Sequence, residues 1–210
     1  LTNTMTSECS LKWPQGQGAR AIKALAWSWL AAGGEAQVRK EALEEVCGNS
    51  MTLAKAALIA LQPIDCKERE LAMSNFYDRW KDRPVVLDSW FSLEASTTRK
   101  DSLQKVQELI NHPRFDPMAP NAVRAVLGGF VSNVKGFHAI DGSGYNFIAE
   151  QIILLDKRNP IIASRLVKVF SRWRSYIAVN SQNMSRALIE ISHNKLSSNT
   201  LEVVELILSA

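Results

Sequence analysis

Apolar residues at spacings of three and four, cut at short intervals by proline or glycine, constrain this chain more than any other feature. Ile22, Leu25, Ala26, Trp29 and Leu30 form a helical stripe between Ala19 and Ala32, and Gly33-Gly34 ends it. Val38, Ala42, Leu43 and Val46 repeat the pattern, with Gly48 at a C′ position. Asp65 with Glu68 makes a capping box ahead of Leu71, Ala72, Phe76 and Trp80. That helix stops before Pro84, which opens the next one, with Val86, Leu87, Trp90 and Phe91. Asp101 with Gln104 repeats the capping logic before Leu103, Val106, Leu109 and Ile110. Pro120 opens a helix carrying Val123, Val126, Leu127 and Phe130, and Pro160 opens one carrying Ile162, Leu166, Val169 and Phe170. Two last helices run from about Ser175 to His193 and from Ser198 to Ala210.

The short apolar runs Val85 to Leu87 and Ile152 to Leu155 lie inside longer helical periods, so no strand is expected. Residues 1–18, with Pro14, Gly16 and Gly18, have no period and read as an irregular leading segment; residues 19–210 read as a single helical domain. Short connections make neighbouring helices antiparallel. The expected fold is all-α: an irregular, α-solenoid-like superhelix of about eleven short helices in antiparallel hairpins. No fixed repeat length shows.

Composition narrows the function. The 210 residues can bury a real core, and 46% hydrophobic with 22% charged residues is ordinary for a globular protein. Apolar runs such as Ala54 to Leu61 are too short to span a membrane, and no signal-peptide pattern opens the chain. A chain that opens on Leu1 reads as a piece of a longer polypeptide. The net charge of +4 is spread among acidic residues, as in Lys67-Glu68-Arg69-Glu70. Only the stretch of Arg165, Lys168, Arg172 and Arg174 is basic without acidic neighbours, which is a solvated helix face rather than a nucleic-acid footprint. Three widely spaced cysteines, Cys9, Cys47 and Cys66, fit neither a disulfide framework nor a metal knuckle and point to a reducing, cytoplasmic setting.

Catalytic signatures are missing. A hydrolytic zinc site needs two histidines one turn apart on one helix, as in H-E-x-x-H, and His112, His138 and His193 are scattered. No G-x-S-x-G elbow and no phosphate-binding glycine loop occurs. No cofactor and no metal ligand is expected in this chain.

Two segments carry more than scaffold chemistry. In Phe137 to Tyr145, Gly142 and Gly144 permit positive φ, and Asp141 or Ser143 can cap the helix starting near Tyr145. This is either a tight interhelical turn or a loop facing a ligand or another domain. In Arg158 to Arg165, Asn159 caps and Pro160 takes the first helical position. Arg165 lies on the second turn with Ile161 four residues earlier on the same face. Its planar fork suits a carboxylate or carbonyl, or equally a surface ion pair.

Ordered blocks carry a family resemblance. They are Asn49-Ser50-Met51-Thr52, Phe76-Tyr77-Asp78-Arg79-Trp80, Leu87-Asp88-Ser89-Trp90-Phe91 and Pro120-Asn121-Ala122-Val123-Arg124. Phe137-His138, Asp141-Gly142-Ser143-Gly144-Tyr145 and Arg158-Asn159-Pro160 through Arg165 follow. Over roughly Ala31 to the end, the chain resembles the C-terminal domain of bacterial-type aminopeptidase N zinc metallopeptidases.

The resemblance implies an upstream thermolysin-like domain that holds zinc, the H-E-x-x-H helix and the motif for the substrate's free amine. The C-terminal domain would curl against that catalytic domain, enclose a chamber and limit which peptides reach the zinc. Its partners would be the upstream domain of the same polypeptide and peptide substrates, with no nucleic acid and no membrane. Arg165 looks like the family arginine that contacts the peptide beyond the cleaved bond, and Arg124 like a second arginine at that cavity. Ile161 stands where relatives often carry glutamine, and Asp141 to Tyr145 would support the same wall. A free-standing helical module binding a partner protein on a concave face is the alternative reading.

Overall fold

The computed structural model describes Cys9 and residues 14–209, so most of the leading segment 1–18 lies outside the described residues. Among the described residues the chain is helical, with no strand. It divides into two compact units, Leu1–Leu93 and Glu94–Ala210.

The first unit contains α1 (Gln17–Ala32), α2 (Ala36–Val46), α3 (Met51–Leu61), α4 (Lys67–Trp80) and most of α5 (Pro84–Ala95). α1 packs on α2 and α3, and α2 on α3 and α4, which is the stacking of successive helical hairpins. Gly34 at φ 92 closes α1 with two bonds, Glu35 N to Leu30 O at 3.1 Å and Gly34 N to Ala31 O at 3.2 Å, a Schellman ending. The core gathers Trp27, Val46, Leu58, Leu61, Met73 and Phe76. Burying each large side chain contributes about 1.5–3 kcal/mol.

Two local expectations shift here. The helix predicted over 19–32 forms, but its stripe faces outward: Ile22, Leu25, Trp29 and Leu30 are 58%, 61%, 75% and 46% exposed. Ala19, Arg20, Trp27 and Ala31 face inward instead. α4 starts one residue later than the capping box placed it, with extended Cys66 in the cap position rather than Asp65. The Glu68 carboxylate accepts from its own backbone N–H and from the Cys66 thiol, which holds it below the ordinary carboxylate range.

The second unit runs through α6 (Ser102–Ile110), α7 (Pro120–Val123), a π turn (Arg124–Gly128), α8 (Gly129–Ser132), α9 (Val134–Phe137) and α10 (Ser143–Asp156). It continues with α11 (Pro160–Val167), 3-10 turns at Lys168–Phe170 and Trp173–Ser175, α12 (Ala178–Ser192) and α13 (Ser198–Ser209). Asp101 precedes α6 as expected, but its carboxylate takes the Arg99 guanidinium at 2.7 Å instead of capping. The helix predicted from Pro120 is widened in its middle by the π turn.

α10 packs on α9, α11 and α12, and α13 on α11 and α12. Phe130, Phe137, Tyr145, Ile148, Ile152, Phe170 and Met184 are fully buried there. Asp156, buried at the end of α10, accepts from Ser197 N (2.6 Å), Ser197 Oγ (2.6 Å) and Thr200 Oγ1 (2.5 Å), fastening α10 to the start of α13. Burial alone would raise its pKa; these hydrogen bonds outweigh burial and hold the carboxyl below its ordinary value. At the other end of α13, Arg174 donates to Ile207 O (3.2 Å) and Leu208 O (2.7 Å).

Candidate functional site

A groove of about 280 Å³ opens in the second unit, lined by Pro120, Val123, Arg124, Gly128, Ile162, Arg165, Leu166 and Val169. Its walls come from the Pro120-initiated helix with its π turn and from α11. Both starts are fixed by short-range chemistry. Pro120 and Pro160 each occupy the first turn, where a missing N–H is harmless. Asn159 Oδ1 accepts from Ile162 N at 3.3 Å, so the sequence-predicted cap forms.

The groove joins Arg124 and Arg165, which spacing alone left unconnected. Both side chains are exposed. Arg124 donates to Asn121 Oδ1 at 2.9 Å, which orients the guanidinium without neutralising it. No acidic residue lines the groove, and among the described residues no ion pair engages either arginine. Two cations sharing a groove with apolar Val123, Ile162, Leu166 and Val169 suit an anionic group attached to an apolar one. Ile161 does not line this groove. It is 57% exposed, and the next residue, Ile162, turns inward in its place.

Asp141 to Tyr145 do not line the groove either; they build a tight turn with its own partners. Asp141 Oδ1 accepts from Ser143 N (3.0 Å) and Ser143 Oγ (2.7 Å), and these bonds depress its pKa. Gly142 has φ 77, as expected, and precedes α10. Gly144 is not left-handed. It is glycine because an added Cβ would stand 2.5 Å from Gly136 O and Phe137 O.

Tyr145 is fully buried inside α10, with its hydroxyl 2.7 Å from His138 Nδ1 and accepting from Asn180 Nδ2 at 3.0 Å. Asn180 Nδ2 also donates to His138 O at 3.2 Å, and Asn183 Nδ2 donates to Ile140 O at 2.9 Å. Desolvation lowers the His138 pKa, which favours the neutral ring beside Tyr145. Sequence reasoning passed over Asn180 and Asn183. Nothing local marks them, because their partners lie on the far side of the turn.

Among the described residues no group of three or more His, Cys, Asp or Glu is placed to hold a metal ion. The described donors do not fit a catalytic zinc site.

A stack of short helical hairpins with one cationic groove is a helical-repeat domain. Over residues 2–209 the chain belongs to the family described as a domain of unknown function (DUF3458_C) with ARM repeats. It is 38% identical over 144 residues to aminopeptidase N of Escherichia coli (strain K12), a match that covers 68% of this chain and 17% of that protein. It is 38% identical over 138 residues to aminopeptidase N of Caulobacter vibrioides, covering 64% of this chain and 16% of the relative. The crystal structure of Legionella pneumophila aminopeptidase A in complex with aspartic acid superposes with a TM-score of 0.86 at 32% identity. That superposition covers 91% of this chain and 23% of the other. The chain thus spans about a sixth of the length of the curated relatives it matches, and it corresponds to the C-terminal domain of the aminopeptidase N type.

Proposed function

We propose that this chain is the non-catalytic C-terminal domain of a zinc aminopeptidase that removes N-terminal residues from peptides, and that it walls the chamber through which peptides reach the metal. Residues 19–210 act as one domain of that enzyme. Zinc and the groups that cleave the peptide bond belong to the catalytic domain of the same polypeptide. The observation that carries the reading is the groove that Arg124 and Arg165 line together with apolar residues, neither arginine engaged in an ion pair among the described residues. A bound peptide beyond the cleaved bond offers the matching chemistry, a carbonyl or carboxylate beside an apolar side chain. By resemblance the turn from Asp141 to Tyr145 would support the same helical unit, and Ile161, exposed next to the groove-lining Ile162, would offer the peptide no polar contact.

The partner has its own surface. The outward stripe of Ile22, Leu25, Trp29 and Leu30 is larger than a solvated helix face needs, and relatives several times longer supply a body to cover it. The remainder of the same polypeptide is the proposed occupant. Three free cysteines fit a reducing compartment, and we place the enzyme in the cytoplasm.

Arg165→Ala in the full-length protein tests the groove. A charge-assisted hydrogen bond contributes about 1.5–3 kcal/mol, so KM for tri- and tetrapeptides should rise about ten- to a hundredfold. An aminoacyl anilide, which ends just past the cleaved bond, should be cleaved as before. Unchanged KM for the longer peptides removes the groove from the substrate path. A native polypeptide whose intact mass is 23.4 kDa would favour the free-standing interaction module instead.

A further inference from the structure

The π turn is an irregularity with a position. Fewer than about one residue in a hundred is π-helical, and such turns concentrate at functional sites. Here it is inserted between residues of ordinary helical geometry, Val123 (φ −59, ψ −45) and Gly129 (φ −59, ψ −47). Its first residue, Arg124, and its last, Gly128, both line the groove.

Arg124 and Gly128 stand four residues apart, as neighbours on one helix face that both line the groove. A Cβ added at Gly128 would touch Arg124 Cγ at 3.4 Å. The backbone does not require glycine there: Gly128 has φ −67 and ψ −35, open to any residue. A glycine inside a helix is less favourable than alanine, because it gives up more backbone freedom. What glycine supplies at this position is space in the groove lining, beside the stem of an arginine whose guanidinium is held by Asn121.

We propose that Gly128 decides which peptides the groove accepts: its missing side chain leaves room for the Arg124 and Arg165 guanidiniums to take the free C-terminal carboxylate of a short peptide together. This rests on the groove reading given above. Gly128 is a positioning and specificity residue, acting through Arg124 and through empty volume. A C-terminal amide lacks the charge that two arginines select, and a side chain at position 128 fills the place of the carboxylate.

The experiment uses the full-length protein with Gly128→Ala, Gly128→Leu and Arg165→Ala. Substrates are a tetrapeptide with a free carboxylate, the same peptide as its C-terminal amide, and an aminoacyl anilide. Gly128→Leu should raise KM for the free tetrapeptide about tenfold, erase its preference over the amide and leave the anilide within about twofold. Gly128→Ala, which only brings a methyl to contact distance, should keep fold and anilide activity with a smaller rise in the same KM. If Arg165→Ala raises the tetrapeptide KM and neither Gly128 variant does, the role of Gly128 is overturned while the groove stands. If none of the three variants moves it, the groove reading itself falls. Equal loss on anilide and tetrapeptide in Gly128→Leu also overturns the proposal, because a structural lesion would act on both alike.

Discussion

Asp156 gives the sharpest prediction about stability. Its buried carboxylate holds Ser197 N, Ser197 Oγ and Thr200 Oγ1 and so decides where α13 starts against α10. Removing the side chain strands three donors. A hydrogen bond to a charged group contributes about 1.5–3 kcal/mol, but these share one carboxylate and one helix end, so their losses overlap. Asp156→Ala should therefore cost about 3–5 kcal/mol, a large share of the roughly 5–15 kcal/mol that holds a typical domain folded. Asp156→Asn should cost about 2–4 kcal/mol, since an amide accepts at one oxygen only and sets its own N–H against a donor. Urea unfolding followed by helical circular dichroism measures both, read as a shift in midpoint at constant slope. The pH dependence has a fixed direction. The folded pKa lies below the unfolded value of about 3.9, so the stabilisation is complete above that value and is lost as pH falls through the folded pKa. Asp156→Asn should flatten that acid limb. A loss below about 1 kcal/mol, or an acid limb unchanged by Asp156→Asn, refutes the reasoning.

Two further results are expected. Gly144→Ala drives a methyl to 2.5 Å from two backbone oxygens and should lower the melting temperature far more than Gly142→Ala. The latter meets the movable Asn183 side chain at 3.0 Å and a left-handed backbone costing about 1–2 kcal/mol; equal shifts in a thermal melt would contradict the packing described. The chain expressed alone should bind a hydrophobic dye through the α1 stripe, and Trp29→Glu should reduce that binding without changing helical content. Dye binding unaffected by Trp29→Glu would show that the stripe is not the exposed apolar surface.

The sequence made legible what nearest neighbours decide. Asn159 and Pro160 start α11 by local chemistry, and the structure keeps that start to the residue. α4 begins one residue after the capping box implies, with Cys66 in the extended cap position and no side-chain cap bond, so the start is set by more than the local pair Asp65 and Glu68. Arg124 and Arg165 entered through family resemblance; no spacing rule links them, because sharing one groove is a matter of tertiary packing. The stripe on α1 shows the limit of periodicity. Alternation reveals that a helix has an apolar face, but which body covers that face is a property of the partner, and Trp27 and Ala31 fill the inner side with a second apolar set.

Glycines make the same point at finer scale, because one letter stands for different physical needs. Gly142 is required by a positive φ, Gly144 by backbone oxygens where a Cβ would sit, and Gly128 by neither, since its backbone is ordinary and its nearest foreign atom is an arginine stem at contact distance. The first two needs are conformational and steric, and any substitution acts on the fold. The third leaves the fold tolerant and concentrates the effect on what enters the groove. The π turn was hidden for a related reason: Arg124-Ala125-Val126-Leu127-Gly128 has the apolar spacing of a regular helix, and the widened turn likewise buries Val126 and Leu127 while Arg124 and Gly128 line the groove. Where a helical glycine has no conformational excuse and lines a groove beside an arginine free of ion pairs, the missing side chain is itself the feature that chemistry at the site would select.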